Sequence, residues 1–454
     1  MTRPFKTPDY EATLNLSITL REALPPNHLA RFVVDVISQL DLSALYARYA
    51  PVGGVAIAPE ILLGLLFYGY ATGVFSTRKI ERATAESIPF RFIASGLQPD
   101  HDTLANFRKT FLAEIQELFV QILLLAQAAD VFRLGNISLD GSKIHADASK
   151  HQAVSYKRLL ELEIQLRQQV SELFALGEQA DQGELTLPAG FSVEAELAFR
   201  QERLANLAKA KAVLEARAQE RYAAEKAAYD AKVRAREEKA RQNKRPPRGR
   251  APKPPEPGAH DQDQYNFTDP DSRVMKNSTD EGFDQHYNVQ VAVDQASLFI
   301  VATTLSNHPN DQHEAEPTVD AISPRIGQPA AAALDHGYWS PANVQALADH
   351  GIEPYIATGR EPHHHSWQDW FAQQPTPPPA EASAQEHMAY KLQTEIGKAL
   401  YALRKQTVEP VVGIIKEVLS FRQFSLRGLA AVAGEWCLVC LAFNLRRFHT
   451  LTTA

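Results

Sequence analysis

Apolar side chains recur at helical spacing through the first 130 residues. The segment 25–40 carries an apolar stripe along one face, whereas 58–73 is apolar on every side and has Pro59 in its first turn. A longer apolar run follows Asp100 and Asp102, either of which suits the N-cap of a helix. The pattern predicts an all-helical domain over residues 1–132.

Short helices joined by tight turns are compatible with two interpretations of this domain. One is a helix-turn-helix module, in which Arg108 and Lys109 would face DNA phosphates. The other is ordinary helical packing with no bound partner. The helical pattern leaves both open.

Beyond residue 132 the apolar period shortens and indicates strands. Five strands follow in order: one ending at Asp140, the two of a hairpin over 287–305 with its turn at 294–297, one over 330–335 and one over 353–358. Helical stretches follow the third and fourth strands, and a helix pair covers 392–449. This order is that of an α/β, RNase H-like mixed sheet flanked by helices, built here from residues 133–155 and 261–449.

The intervening residues 156–260 interrupt that domain. Leucines at heptad-like spacing predict an antiparallel helical hairpin, 156–178 against 193–240. The hairpin continues into RQNKRPPRGRAPKPPEPG (241–258), a basic, proline-rich tether that is not helical.

Charge is distributed unevenly along a chain whose formal net charge is −7. Residues 231–257 contain ten Lys or Arg and three Glu. Residues 398–449 contain eight Lys or Arg and three Glu. These basic segments suit a phosphate-tracking surface, or equally a solvated helix face and a disordered arm.

The apolar runs and the cysteines indicate the cellular compartment in which the protein works. The N-terminus carries no apolar signal segment, and the two most apolar runs, 61–70 and 436–445, are too short to span a membrane. Cys437 and Cys440 lie in an apolar stretch, which favours core packing and a reducing cytoplasm over a disulfide framework or a zinc site.

Three carboxylates are candidates for binding divalent metals. Phosphodiester transfer uses two metal ions that clamp the attacking and leaving oxygens, and Mg²⁺ prefers carboxylate ligands. Asp140 precedes Gly141, Asp335 closes an apolar strand, and Glu409 shares a helix face with Tyr401, Lys405 and Lys416. Each residue also has a purely structural interpretation. Asp140 could be a turn aspartate, Asp335 a helix N-cap, and Glu409 part of a solvated ion-pair face.

Several segments resemble DDE transposases of bacterial insertion sequences. The run YALRKQTVEPVVGIIKEVLSFRQFSLRGLAAVAGEWCLVCLAFNLRRFH is similar to the end of these enzymes, where a Tyr, an Arg, the catalytic Glu and a Lys recur on one helix. Four further segments match in family order: 98–109, 138–151 (SLDGSKIHADASKH), 269–277 with 287–294, and 333–344 (ALDHGYWSPANV).

The resemblance implies a function and assigns residues to it. Asp140, Asp335 and Glu409 would hold two Mg²⁺ or Mn²⁺ ions as the catalytic site. The DNA-binding residues would be Tyr401, Arg404, Lys405 and Lys416. The partners would be double-stranded DNA, at the transposon ends and the target, and a second copy of the chain in the DNA complex. No membrane partner is expected, and the setting would be the cytoplasm, at the nucleoid.

Two other functions stay open at this point. One is a non-catalytic DNA-binding protein derived from a transposase, and the other is a stand-alone metal-dependent DNA nuclease. If Asp140 fails as a ligand, Asp147 and Asp294 are the residues to test, although the hairpin turn favours a structural role for Asp294. His336, beside Asp335, is a candidate to approach a metal-bound water, and the histidines 363–365 are interpreted as a surface loop.

Overall fold

A computed structural model describes residues 18–49, 56–243, 250–277, 282–359, 376–379 and 381–453. The chain divides into two compact units, residues 1–144 with 288–454, and residues 145–287. Each unit has its own elements and is built around its own apolar side chains.

Among the described residues, seven helices open the first unit, in agreement with the predicted helical region. They are α1 (Leu29–Ile37), α2 (Ser43–Tyr46), α3 (Pro59–Ala71), α4 (Thr77–Glu86), α5 (Ile88–Ile93), α6 (His101–Thr110) and α7 (Leu112–Ala128). Asp100 is the N-cap of α6, where its side chain accepts a hydrogen bond from Thr103 N at 2.6 Å. The axes of α6 and α7 meet at 76°, so they do not form the single long helix that the apolar pattern predicts.

A mixed sheet forms the centre of the first unit. Its strands are β1 (Ile137–His145), β5 (Phe283–Asp294), β6 (Ile300–Ser306), β7 (Ala331–Leu334) and β8 (Glu353–Ile356), in the spatial order β6-β5-β1-β7-β8. β5 and β6 pair antiparallel, whereas β1, β7 and β8 run parallel to one another. This is the RNase H-like α/β arrangement that the order of elements predicted.

Helices accompany the parallel strands and close the unit. They are α10 (Ala315–Asp320), α11 (Pro341–Asp349), α12 (Ala384–Gln393), α13 (Glu395–Gly413) and α14 (Leu429–Thr453). By length and composition α14 is apolar enough to cross a membrane, but most of its apolar window is buried against α3, α7 and β6. Asn444 of α14 is fully buried and bonds both the backbone N–H and the carbonyl of Ile300, which fixes α14 on β6.

The second unit contains the helical hairpin. α8 (Tyr156–Asp181) and α9 (Val193–Asn243) pack together, and β2 (Ala153–Ser155) pairs antiparallel with β3 (Gln264–Asn266) at their base. β4 (Arg273–Lys276) pairs with the first residues of β5. The buried cluster consists of Val154, Leu159, Leu166, Leu207, Ala210 and Leu214. Leu173 and Leu176, which continue the heptad-like spacing, are only partly buried, so the tightly packed part of the hairpin lies at its base.

Candidate active site

Asp140 lies on β1, and Asp335 directly follows the neighbouring parallel strand β7. Ser138 of β1 is in register with Ala333 of β7, and each aspartate comes two residues after its registered residue. Parallel strands are about 4.8 Å apart, so the two carboxylates leave the sheet side by side. The sheet therefore brings together two acidic residues that are far apart in the sequence.

The strand that carries Asp140 is longer than predicted. β1 continues through the polar Asp-Gly-Ser segment to His145 instead of ending at Asp140. It does so because β5 is its neighbour on the side away from β7, and the long β5 supplies hydrogen-bond partners beyond the end of β7. Asp335, by contrast, directly follows β7, caps a short 3-10 turn and accepts a hydrogen bond from Gly337 N at 2.8 Å. The helix-cap alternative for Asp335 is thus compatible with its place beside Asp140.

Burial and like charge act together on these two carboxyls. Burial, with the nearby Asp335 as a second cause, raises the pKa of Asp140 to about 7. Burial also raises the pKa of Asp335, whereas the positive charge of Arg404 lowers it. The pair thus lies in a place where negative charge is only partly compensated by the protein.

Arg404 supplies the positive charge at this place. Its side chain points inward from α13 and is only 9% exposed, with a guanidinium nitrogen 3.6 Å from Asp140 Oδ2 and another 3.7 Å from Glu409 Oε1. Its Nε is buried and has no hydrogen-bond partner among the described residues. The guanidinium thus lies between two of the three candidate carboxylates.

Glu409 and Lys416 follow Arg404 along an irregular helix. Pro410 lies inside α13, which continues past it and opens into a π-helical turn at Ile414–Val418. A π turn closes i→i+5 bonds, so the spacing between Glu409 and Lys416 is not that of a regular α-helix. Lys416 instead reaches the sheet, where its Nζ donates to Ser142 Oγ of β1 at 2.8 Å.

The remaining predicted DNA contacts differ in how they are exposed. Tyr401 is half-buried, and the guanidinium carbon of Arg404 lies 5.7 Å from the centre of its ring. Lys405 and Lys109 are exposed. Arg108 is not on the surface: its side chain is 8% exposed, donates to Tyr70 Oη at 2.7 Å and lies 3.6 Å from the fully buried Glu435. The structure therefore places Arg108 in the interior between helices and not where a phosphate would reach it.

Sequence reasoning missed Asp311, which lies in the loop between β6 and α10. Asp311 Oδ1 accepts hydrogen bonds from Asn288 Nδ2 at 2.8 Å and from Gln290 Nε2 at 2.7 Å. Its negative charge contributes to the raised pKa of Asp140 and of Asp335, so it is close to both. The segment around it, NHPNDQHE, has no strand or helix period, and the partner side chains are remote in sequence.

The remaining candidates lie elsewhere in the chain, except His336, which directly follows Asp335 and contributes to the pKa of Asp335. Asp294 is fully buried and accepts hydrogen bonds from Gly135 N and from the backbone and hydroxyl of Ser297, which makes it the structural turn residue predicted. Asp147 belongs to the second unit. His336 Nδ1 is 3.4 Å from the Ala357 carbonyl. Cys437 and Cys440 are buried, and burial raises the pKa of both thiols. The histidines 363–365 lie outside the described residues.

The chemistry of the carboxylate donors fits a hard divalent cation, with a reservation about Glu409. Asp140 and Asp335 present oxygen ligands with unbalanced negative charge, as Mg²⁺ or Mn²⁺ requires. Within the described part of the chain, however, no three acidic, histidine or cysteine side chains are gathered closely enough to hold an ion. The Glu409 side chain is 53% exposed and faces Arg404, so it would have to turn toward the aspartates.

Two family models match the chain, one at each end. Residues 18–110 match a transposase domain (DUF772), and residues 374–449 match a transposase DDE domain. The first match covers the helices up to α6, and the second covers α12 to α14 with Arg404, Glu409 and Lys416. No curated protein and no solved structure matches the chain.

Asp140 and Asp335 lie between the two matched segments, the first on a strand of an RNase H-like sheet and the second directly after one. The sheet brings them next to the helix that carries the matched Glu409. Matches to two transposase domains, in this order around such a sheet, support a DDE transposase of an insertion sequence.

Proposed function

We propose that this transposase catalyses metal-dependent cleavage at the ends of an insertion sequence and joins those ends to target DNA. Asp140, Asp335 and Glu409 are the acidic residues of the reaction. The observation that carries the proposal is that Asp140 on β1 and Asp335 directly after the adjacent parallel strand β7 lie close together, with Arg404 of α13 beside Asp140.

Each residue of the proposed site has a distinct part in the reaction. Asp140 and Asp335 would hold Mg²⁺ or Mn²⁺, two ions with Glu409 as third ligand, and the bound ions would supply Lewis-acid activation of the attacking oxygen and stabilise the leaving oxygen. Arg404 lies against Asp140 and Glu409, which supports a positioning role for its guanidinium over the direct phosphate contact that the family resemblance implied. Lys405 is exposed on the same helix and is available to DNA phosphates.

The proposed reaction has two phosphoryl-transfer steps. Water attacks a phosphodiester at the transposon end and releases a 3′-hydroxyl. That hydroxyl then attacks a phosphodiester of the target, forms a new 3′-ester bond and displaces the target 3′-oxygen. Tyr401, Lys405 and Lys416 would contact phosphates near the cleaved end, since charge-assisted contacts orient a DNA backbone well.

The proposed substrate determines the partners and the setting. Double-stranded DNA enters both as transposon end and as target, and a homodimer would hold two ends together in the DNA complex. The reaction would take place in the cytoplasm, at the nucleoid.

The test uses the full chain with labelled element ends, a target plasmid and Mg²⁺. The proposal predicts both cut ends and joined products, and it predicts that EDTA abolishes both. Cut ends without joined products would identify a nuclease instead. Binding of the ends with no cut product in Mg²⁺ or Mn²⁺ would identify a non-catalytic DNA-binding protein.

A further inference from the structure

The carboxylate of Asp311 is held in place from two sides. Asn288 and Gln290, both on β5, donate their side-chain amides to Asp311 Oδ1. An amide N–H can only donate, so the oxygen that faces both groups acts as an acceptor. Because both donors are on one strand, the carboxylate is fixed relative to the sheet and does not move freely with its loop.

The donor Gln290 is itself fixed at its other end. Its Oε1 accepts a hydrogen bond from the hydroxyl of Tyr338, a fully buried residue three positions after Asp335. The network thus connects the Asp311 loop to β5 and to the turn that follows β7. A chain of buried, mutually satisfied polar groups specifies one geometry.

Gly141 leaves room for Asp311 beside the aspartates, and Gly337 is also close to Asp311. A Cβ atom at Gly141, directly after Asp140, would lie 2.4 Å from Asp311 Oδ1 and 2.6 Å from Gln290 Nε2, closer than atoms can approach. A Cβ atom at Gly337, two residues after Asp335, would lie 3.6 Å from Asp311 Oδ2. The Asp311 carboxylate therefore lies against the backbone that follows both aspartates.

We propose that Asp311 is a positioning residue of the transposase, whose fixed negative charge strengthens the binding of the divalent cation at Asp140 and Asp335. The inference rests on the proposed function, because it requires a cation at that place. Its physical basis is that the charge of Asp311 acts on Asp140 and Asp335, and that one buried guanidinium does not balance these carboxylates until a cation compensates them. Outer groups of this kind contribute about 10–100-fold to metal affinity.

The variant Asp311→Asn tests the inference, because it keeps the shape and an acceptor oxygen and removes the charge. Binding of Mn²⁺ to the full-length protein is measured as a decrease of the electron paramagnetic resonance signal of free Mn²⁺. The melting temperature is measured separately, in EDTA. We expect Mn²⁺ affinity to fall about tenfold or more. We expect the melting temperature in EDTA to stay the same or rise, since repulsion is relieved.

Two further variants make the outcome decisive. Asp349→Asn removes an exposed carboxylate at the end of α11 and should change neither quantity. Asp311→Glu restores the charge and should recover part of the Mn²⁺ affinity. An Asp311→Asn protein that binds Mn²⁺ like the parent, or that loses its cooperative unfolding, would overturn the inference. If the parent protein binds no Mn²⁺, the metal-dependent function fails with it.

Discussion

The guanidinium of Arg404 lies 3.6 Å from the carboxylate of Asp140, from a helix more than 250 residues further along the chain. The same guanidinium lies 3.7 Å from Glu409. These contacts connect the sheet to α13 and place a buried cation next to one of two carboxylates whose pKa is raised. The relationship leads to the first prediction.

Replacing Arg404 by Gln should destabilise the metal-free protein. The change leaves Asp140 without its compensating charge, and breaking a buried ion pair on one side costs about 3–5 kcal/mol when both partners are fully buried. Because the carboxylates are partly exposed and the contacts are long, we expect roughly 1–3 kcal/mol. Urea unfolding in EDTA measures this loss of unfolding free energy. Lys398→Gln, at an exposed position of the same helix, is the matched control, and equal stability of the two variants would refute the ion-pair role.

Asp140→Asn should stabilise the metal-free protein at pH 8 while abolishing activity. The pKa of Asp140 in the folded state is raised to about 7, above its ordinary value of 3.8. The stability contributed by its protonated form is therefore complete below about pH 4 and is lost as the pH rises to about 7.

The melting temperature of Asp140→Asn in EDTA should accordingly exceed that of the parent by a few degrees at pH 8. The difference should shrink as the pH is lowered toward 4. A difference that is independent of pH, or that grows toward acid, would contradict the raised pKa.

Arg108 and Lys109 should behave in opposite ways although they are adjacent. Arg108→Gln leaves Glu435 buried without its cation and should cost about 3–5 kcal/mol of unfolding free energy. Lys109→Gln should change stability by less than about 0.5 kcal/mol. If Lys109 contacts a phosphate, its loss should lower the salt dependence of DNA-end binding by about one charge. Fluorescence anisotropy over a range of salt concentrations measures this, and an unchanged slope would remove Lys109 from the DNA surface.

The sequence identifies those parts of the site that depend on local pattern. The position of Asp335 at the end of a buried strand was predicted correctly, because an unbroken apolar run ends at it. The RNase H-like order of elements also followed from the alternation of strand and helix periods. Arg108 was assigned to DNA from its charge, yet it follows Leu104 by four positions and adjoins Phe107, both buried on α6. That spacing places Arg108 on the apolar face of α6, so the sequence already contained a sign that Arg108 is buried.

The missed features depend on contacts between remote segments. Asp311 lies in a loop without periodicity, and only the folded sheet brings Asn288 and Gln290 to it. The extension of β1 past Asp140 depends on the length of β5, which no local pattern in β1 reveals. The π turn after Pro410 changes the helical phase, so the one-face argument for Lys416 did not describe its contact with Ser142.

The central claim is that Asp140, Asp335 and Glu409 act together in metal-dependent strand transfer. The most direct measurement is the single-turnover rate at which a pre-cut transposon end is joined to target DNA in Mg²⁺. The variants are Asp140→Asn, Asp335→Asn and Glu409→Gln, with Glu395→Gln on the same helix as the control. We predict that each of the three lowers the rate by about 10³-fold or more while end binding stays within about threefold. A rate within tenfold of the parent for any one of them would contradict its place in the site.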